Sequence, residues 1–227
     1  PIVQKGDKVK VGQLIAKPTG FVSANIHSSV SGTVAAVEPY ADLAGNPVMH
    51  VIIDVEGDEW EESIDRTPDV VRDITLSKEE IIKRIQDCGI VGLGGASFPT
   101  HIKLTPPPGK VAEYLLINGA ECEPFLTSDY RLMIEQPEQV LIGAKIMMKA
   151  LDVKKCRFGV EENKPEAIAK LKSFSAQYPE IEIVPLKKKY PQGGEKQLIE
   201  ALTGRRVPSM GLPIDAGAVV QNCGTAL

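Results

Sequence analysis

The sequence has no hydrophobic run long enough to cross a membrane and no recognisable leader at its start. A transmembrane helix needs about 20 consecutive apolar residues, and no apolar run among these 227 residues approaches that length. We therefore expect no direct span, and any membrane association to depend on a partner. The first residue is proline rather than methionine, and we expect no signal peptide. Because it starts at Pro1 and stops at Leu227 directly after a motif, we expect a fragment.

Cysteine and histidine are sparse, and neither shows metal-ligand spacing. The four cysteines lie far apart in the sequence, with no C-x-x-C pair among them: Cys88, Cys122, Cys156 and Cys223. The three histidines form no H-x-x-x-H or H-E-x-x-H pattern. Iron–sulfur and zinc sites are typically made by such closely spaced ligands. We therefore predict no metal site within this stretch, and free thiols in a reducing cytoplasm.

An excess of positive charge is also lacking. The 26 basic and 30 acidic side chains give a net charge of −4, whereas a nucleic-acid-binding protein usually carries a basic surface. We therefore expect no nucleic-acid partner. The hydrophobic fraction of 43% and the charged fraction of 25% are typical of a globular protein, and the length suffices for one large or two modest domains.

Residues 1–57 have the composition of a small β domain. Short apolar runs, including those at 30–37 and 48–55, are separated by glycine and proline, which predicts strands joined by turns. Residues 58–76 are acidic and have no sustained periodicity, so we interpret them as a linker. The second domain is then expected over residues 77–227.

The second domain alternates helical and strand patterns. Ser77 and Glu80 have capping-box spacing, which predicts a helix from about 78 to 87. The predicted elements that follow are strand 112–117, a helix from 137 through 151, strand 156–161, helix 165–177, strand 181–186, helix 196–202 and strand 218–220. Connections of this length join parallel strands through crossover helices. The pattern therefore predicts an α/β domain with a parallel sheet.

A glycine-rich stretch at 92–104, with the sequence GLGGASFPTHIKL, links the first predicted helix to the first predicted strand of this domain. Glycine tolerates positive φ and has no Cβ, so successive backbone N–H groups can approach an anion closely. Lys103 adds a positive charge to the same stretch. The pattern favours a phosphate-binding loop, and a tight turn between two elements is the alternative.

Three further polar or glycine-rich turns adjoin apolar elements, at 118–124, 192–196 and 221–225. The first follows a predicted strand, and parallel α/β sheets bind ligands at the carboxyl ends of their strands. The second enters a predicted helix, whose first N–H groups can bind an anion. Together with the glycine-rich stretch, these turns are able to build a single cleft.

Four ordered motifs resemble those of one flavoprotein family: GLGGASFPTHIKL, NGAECEP, YPQGGEKQLIEALTGRRVP and VVQNCGT. They are similar to the flavin- and NADH-binding fold shared by the complex I flavoprotein and by the RnfC family of the Rnf electron-transport complex. The resemblance implies a Rossmann-like domain with a parallel sheet. Residues 1–57 resemble biotinyl and lipoyl domains, which implies a barrel-sandwich hybrid. Because no lysine occurs between Lys17 and Lys78, we expect a structural domain rather than a swinging-arm carrier.

The same resemblance implies a non-covalent FMN and a neighbouring site for NADH. The positions that match its FMN-binding residues are Gly92, Gly94, Gly95, Lys103, Asn118, Gly194, Glu195, Asn222 and Thr225. Those that match its nicotinamide-nucleotide contacts are Phe98, Glu121 and Glu123. The chain departs from complex I flavoproteins at Ala120, where they have an acidic residue, and at Lys196, where they have the second glutamate of a pair.

The function implied by the resemblance is electron transfer in a membrane-bound ferredoxin:NAD oxidoreductase, an ion-translocating complex. Hydride would pass between NADH and FMN without a catalytic side chain, because the cofactors carry out the chemistry. Single electrons would continue to [4Fe-4S] clusters in a C-terminal region outside this chain, with ferredoxin as an indirect partner. The implied location is the cytoplasmic side of the bacterial cell membrane, where other subunits would hold the protein peripherally.

Two alternatives are open at this point. The cobalamin-reductase flavoprotein of bacterial microcompartments shares the same motifs. A non-catalytic docking module, in which the two domains only scaffold partner subunits, would have an empty cleft.

Overall fold

The chain folds as two compact units in a computed structural model that describes all 227 residues. Unit 1 comprises Pro1–Asp69 and Ile85–Ile90, and unit 2 comprises Val70–Arg84 and Val91–Leu227. Unit 1 is almost entirely β structure, whereas unit 2 alternates strands and helices. The predicted fold class is confirmed, since a small β domain precedes an α/β domain with a parallel sheet. The predicted domain limits at 57 and 76 stay a prediction.

Unit 1 is built from five strands: β1 Lys8–Val9, β2 Leu14–Ala16, β3 Ile26–His27, β4 Gly32–Ala41 and β5 Pro47–Val55. Strands β1, β4 and β5 form one antiparallel sheet in that order, and β2 pairs with β3. Val9, Ile15 and Val34 form a small core. Gly32 is required at the start of β4, because a Cβ there would lie 2.0 Å from the carbonyl oxygen of Asp54 in β5.

Unit 2 contains four strands, β6 Tyr114–Gly119, β7 Cys156–Glu161, β8 Ile181–Leu186 and β9 Ala218–Asn222. They form a parallel sheet in the order β8-β7-β6-β9. Its helices are α2 Thr100–Lys103, α3 Ser128–Glu135, α4 Pro137–Leu151, α5 Pro165–Ser175, α6 Glu195–Thr203 and α7 Cys223–Ala226, with a 3-10 turn at Pro213–Ala216. Helix α1, Lys78–Asp87, has its first part in unit 2 and its end in unit 1.

The central strands of the parallel sheet are deeply buried. Leu116 and Ile117 of β6 are fully buried, as is Phe158 of β7, and such continuous apolar runs are typical of parallel strands covered by helices. Leu116 shares an apolar cluster with Leu198 of α6, and Leu141 of α4 is buried as well. Burying one such side chain stabilises a fold by about 1.5–3 kcal/mol. The stable central strands therefore hold the residues at the carboxyl edge of the sheet in fixed positions.

Helix α7 packs against α4 at very short range. A Cβ on Gly143 of α4 would lie 1.6 Å from the carbonyl oxygen of Ala226 in α7, so only glycine fits at this position. All four residues of α7 are buried. A helix of one turn has little stability of its own, and its position therefore depends on this packing.

Most predicted elements of unit 2 are confirmed within a few residues. Helix α1 has the predicted bounds, and its capping box forms between Ser77 and Glu80, with N···O distances of 2.7 and 3.3 Å. Helix α3 has no counterpart among the predicted elements. The predicted turn at 221–225 is wrong, because β9 extends to Asn222 and α7 follows directly.

Candidate functional site

The candidate site lies at the carboxyl edge of the parallel sheet in unit 2. Asn118, near the end of β6, pairs in register with Asn222, the last residue of β9. Parallel strands bring their carboxyl ends to the same edge, which is where α/β sheets bind ligands. Both asparagines are partly buried, and the groups around them come from the other predicted segments.

The glycine-rich loop is attached to β9 and α7. The Leu93 backbone N–H donates to Thr225 Oγ1 over 2.9 Å. A Cβ on Gly94 would lie 3.2 Å from Asn222 Cβ, so the loop backbone passes close to Asn222. Gly95 has a φ of +114°, which other residues rarely adopt. Glycine is therefore needed for close approach at one position and for backbone conformation at the next.

Backbone donors of this loop are available to a ligand. The N–H groups of Gly94, Gly95 and Ala96 bond to no acceptor within the protein, and all three residues are exposed. Adjacent unpaired N–H groups form a concavity that suits an anion. The residues present therefore fit a phosphate group at this end of the site.

Lys103 connects the end of the loop to α6. Its Nζ lies 3.0 Å from Glu195 Oε1 and donates to the Val220 carbonyl oxygen, also over 3.0 Å. The two charged side chains are 32% and 40% exposed, and an ion pair of this kind contributes at most about 1 kcal/mol to stability. Its main consequence is geometric, since it holds the charge of Lys103 beside the first turn of α6.

Asn118 joins β6 to the second glycine pair. Its Nδ2 donates to the Gly193 carbonyl oxygen over 2.8 Å, and its Oδ1 accepts from the Ala120 N–H over 3.1 Å. Gly193 must be glycine, because a Cβ would lie 2.3 Å from the Ala120 carbonyl oxygen. Gly194 is the N-cap residue of α6 and precedes Glu195. These contacts place the start of α6 beside the end of β6.

Glu121 is buried against the start of α3. Its side chain accepts the backbone N–H groups of Asp129 and Tyr130, over 3.0 and 3.3 Å, and Lys164 Nζ lies 3.6 Å from its Oε2. A carboxylate is favourable at a helix N-terminus because it meets free N–H groups and the positive end of the helix dipole. This contact explains how α3 begins without a capping side chain at its N-cap residue, Thr127.

The other two residues predicted to contact the nicotinamide nucleotide are more accessible. Phe98 is half-buried, and its carbonyl oxygen accepts from the Gly92 N–H over 2.9 Å. Glu123 is exposed. The hydrogen bonds that join the four predicted segments do not involve the side chains of Phe98 or Glu123. Their contacts with a nucleotide stay predictions, as does that of Glu121.

Asp129 is a candidate site residue that no sequence pattern predicts. Asn222 Nδ2 donates to Asp129 Oδ2 over 2.7 Å, and Asn222 Oδ1 accepts from the Gly224 N–H over 2.8 Å. Burial raises the pKa of Asp129, although the hydrogen bond from Asn222 opposes this rise, and the Glu121 carboxylate adds to it. Burial and the neighbouring Asp129 also raise the pKa of the Cys223 thiol. Asp129 and Asn222 lie 93 positions apart, so only the fold reveals their contact.

Two family models match the chain. Residues 85–227 match the Nuo51 FMN-binding domain. Residues 1–58 match the RnfC barrel sandwich hybrid domain. These matches confirm the family resemblance and the nature of both predicted domains.

Curated relatives are similar over the whole chain. The C subunit of the proton-translocating ferredoxin:NAD(+) oxidoreductase complex of Clostridium ljungdahlii is 49% identical, over 100% of this chain and 49% of the relative. The C subunit of the Na(+)-translocating ferredoxin:NAD(+) oxidoreductase complex of Acetobacterium woodii is 48% identical, over 100% of this chain and 51% of the relative. The chain thus spans about half the length of these relatives.

A solved structure is also similar. The crystal structure of an NAD+-reducing [NiFe]-hydrogenase in the air-oxidized state matches with a TM-score of 0.55 and 25% identity, over 66% of this chain and 29% of that chain. Its H2-reduced state matches with a TM-score of 0.54 and 28% identity. The chain belongs to the Nuo51 FMN-binding domain family, and over its whole length it is a homologue of the RnfC proteins of ion-translocating Rnf complexes.

Proposed function

We propose that unit 2 binds FMN non-covalently at the carboxyl edge of its sheet and exchanges electrons there with NADH. The observation that carries this proposal is the joining of four separate segments, 92–104, 118–124, 192–196 and 221–225, by hydrogen bonds around that edge. The family match over residues 85–227 supports FMN, and the names of the relatives support NAD(+). The protein would then be the flavoprotein module of an ion-translocating oxidoreductase.

The phosphate of FMN is assigned to the glycine-rich loop and the end of β9. Gly94 and Gly95 have unpaired N–H groups, and Asn222 and Thr225 lie beside the same loop. The Thr225 hydroxyl accepts from Leu93 and keeps its own O–H for donation. Hydrogen bonds from such donors to a charged phosphate are about twice as strong as those to neutral acceptors. This end of the site therefore supplies the larger share of the affinity.

The flavin ring is assigned to the part of the site formed by Gly92, Lys103, Asn118, Gly194 and Glu195. Glu195 balances the charge of Lys103, so this region is close to neutral and suits an uncharged ring better than a second anion. The Asn118 amide has both donor and acceptor capacity for the edge of such a ring. Its orientation is fixed by its bonds to Gly193 and Ala120.

The nicotinamide nucleotide is assigned to Phe98, Glu121 and Glu123. The face of Phe98 is suited to stacking on an adenine ring, and the exposed carboxylate of Glu123 is suited to accepting from ribose hydroxyls. Glu121 is engaged by α3 and Lys164. Only part of its acceptor capacity is therefore left for a ligand.

Bound FMN would supply the conversion of a two-electron donor into single electrons. The residues of this chain would bind and orient the two cofactors and would contribute no acid or base to the transfer. We place the [4Fe-4S] clusters outside this chain, because its cysteines are not closely spaced. Ferredoxin would be reached through those clusters.

None of the helices is both long and apolar enough to cross a membrane. The relatives are named as subunits of ion-translocating complexes. We therefore propose that other subunits of such a complex hold this protein peripherally, on the cytoplasmic side of the cell membrane.

A flavin titration tests the proposal. The protein is added to FMN, and in parallel to riboflavin, which lacks the phosphate, while flavin fluorescence is recorded. We expect saturable quenching of FMN and at least about tenfold weaker binding of riboflavin, because the phosphate contacts are lost. Anaerobic addition of NADH should then bleach the visible absorption of the bound flavin. Absence of quenching would contradict FMN binding, and equal affinity for the two flavins would contradict the phosphate assignment.

A further inference from the structure

Asp129 occupies the first turn of α3 and contacts Asn222, one of the predicted FMN ligands. Its Oδ2 accepts from Asn222 Nδ2 over 2.7 Å. Both side chains are partly buried, and they belong to different elements of unit 2. The bond therefore ties α3 to the edge of the sheet where the phosphate is assigned.

Both ends of the Asn222 amide are held by groups that define its orientation. Its Oδ1 accepts from the Gly224 N–H over 2.8 Å, and its Nδ2 donates to Asp129. An ionised carboxylate only accepts and a backbone N–H only donates, so a flipped amide would lose both bonds. One hydrogen of Nδ2 is left for a ligand. Asn222 is thereby set as a hydrogen-bond donor.

The surroundings of Asp129 destabilise the charged form of its carboxylate. Burial raises its pKa, and the Glu121 carboxylate acts in the same direction. Hydrogen bonds from Asn222 and Cys223 oppose this rise, and the N-terminal end of α3 places favourable helix dipoles nearby. A partly buried carboxylate is costly unless it is hydrogen-bonded in this way. Asp129 and Asn222 therefore stabilise each other's orientation.

A direct contact between Asp129 and the ligand phosphate would be unfavourable, because both groups are negatively charged. The amide of Asn222 is neutral and can bond to both at once through its two N–H groups. Any effect of Asp129 on a phosphate ligand therefore passes through Asn222.

We propose that Asp129 is a positioning residue of the flavin site, which orients the Asn222 amide so that its remaining N–H donates to the phosphate of FMN. This inference rests on the proposed function, since it requires FMN to bind beside Asn222. It adds a residue from α3, an element outside the four predicted segments, to the machinery of the site.

A double-mutant cycle on FMN affinity tests this role, with the whole chain and the fluorescence titration. Asp129→Ala is expected to weaken FMN binding about tenfold, and Asp129→Asn about threefold, because the asparagine oxygen still accepts from Asn222. In the Asn222→Ala background, Asp129→Ala is expected to have no further effect, since the residue that it orients is gone. Riboflavin affinity should be the same in all variants.

Glu135→Ala is the matched control, because Glu135 lies at the opposite end of α3 and pairs with Arg131 on the same exposed helix face. Circular dichroism and thermal unfolding identify any variant that does not fold, and the near-isosteric Asp129→Asn carries the test if the alanine variant fails. Unchanged FMN affinity in the Asp129 variants, or equal losses with and without Asn222, would overturn the inference alone. Absence of FMN binding by the unaltered chain would overturn the proposed function as well.

The ligand-free protein provides a second readout, which reports on the contact between Asp129 and Asn222 independently of FMN. The side-chain amide signals of Asn222 in a nitrogen–proton NMR spectrum are expected to shift with pH as Asp129 takes up its proton. In Asp129→Asn this titration should disappear. Asn222 signals that titrate identically in both proteins would overturn the orienting contact.

Discussion

Gly32 of unit 1 and Gly95 of unit 2 are required for different physical reasons. In unit 1, a Cβ on Gly32 would lie 2.0 Å from a carbonyl oxygen of the neighbouring strand, so this glycine allows two backbones to meet. In unit 2, a Cβ on Gly95 would have no atom within 4 Å, and the residue is needed only for its φ of +114°. A glycine that faces open space beside unpaired N–H groups indicates a ligand, whereas one that faces another strand indicates architecture.

Buried polar groups show the same contrast. In unit 1, Ser31 is buried and its hydroxyl donates to the Glu56 carbonyl oxygen over 2.7 Å. In unit 2, Gln192 and Gln221 are buried beside the site, and Gln192 Oε1 and Gln221 Nε2 have no partner. Unpaired buried groups are rare in folded proteins, and each one calls for a partner such as a bound water, an ion or a ligand. The buried side-chain polar atoms of unit 1 all have hydrogen-bond partners within the protein, whereas Gln192 and Gln221 of unit 2 keep unpaired atoms beside the sheet edge.

The largest effect that separates the units is expected for Gly143→Ala. The added Cβ would lie 1.6 Å from the Ala226 carbonyl oxygen and displace α7, which should cost unit 2 about 3 kcal/mol. FMN affinity should fall with it, because α7 carries Thr225. Urea unfolding followed by circular dichroism reports on unit 2, and fluorescence of Trp60, the one tryptophan, reports on unit 1. Equal shifts of the urea midpoint in the circular dichroism and fluorescence signals would show that the units unfold together.

Gly32→Ala tests the opposite half of the comparison. The new methyl group would clash with the Asp54 carbonyl oxygen, and the φ of +155° at this position is one that alanine rarely adopts. Unit 1 should therefore lose about 2 kcal/mol of unfolding free energy. Trp60 fluorescence should report this loss, while FMN affinity stays unchanged. Gly20→Ala is the control, since its Cβ would meet no atom within 4 Å. A large drop in FMN affinity for Gly32→Ala would break the proposed division of roles.

Lys103→Ala should weaken FMN binding by about 1.5 kcal/mol, the value of a charge-assisted hydrogen bond. Lys110→Ala is matched to it, because Lys110 also pairs with a carboxylate, that of Asp215, in unit 2. The control should bind FMN normally. Flavin titration of both variants measures the difference, and equal affinities would remove Lys103 from the site.

The smallest expected effect is a pH dependence of stability carried by Asp129. Because burial raises its pKa in the folded state, Asp129 stabilises the fold at low pH, and this contribution is lost as the pH rises through the raised pKa. Asp129→Asn cannot titrate. The unfolding free energy of the variant minus that of the unaltered chain should therefore increase from pH 3.8, the ordinary pKa of an aspartate, and level off above the raised pKa. A difference independent of pH would contradict the assigned shift.

The elements with strong local patterns were predictable. Strand β7 was predicted at 156–161 and has those bounds, because it continues the alternation of strands and helices that is typical of a parallel sheet. The capping box of α1 could also be predicted from the sequence, since Ser77 and Glu80 are three positions apart. The four site segments could be selected because glycine and polar residues there interrupt apolar elements.

The contacts within the site were not predictable from local patterns. Lys103 meets Glu195 at a separation of 92 positions, and Asn118 meets Gly193 at a separation of 75. Helix α3 was missed because its capping carboxylate, Glu121, lies outside the usual N-cap position. Helix α7 had a local signal, since Asn222 is its N-cap residue and accepts from the Gly224 N–H, but the helix is a single turn that depends on packing against α4.

The most direct measurement of the central claim is an FMN titration of the isotopically labelled chain, followed by nitrogen–proton NMR. We predict that the backbone signals of Gly94, Gly95 and Gly194 and the side-chain signals of Asn118 and Asn222 shift together with one dissociation constant. The signals of Gly32 and Gly45 in unit 1 should stay in place. Shifts confined to a single segment, or larger in unit 1 than in unit 2, would contradict a flavin site formed by four segments.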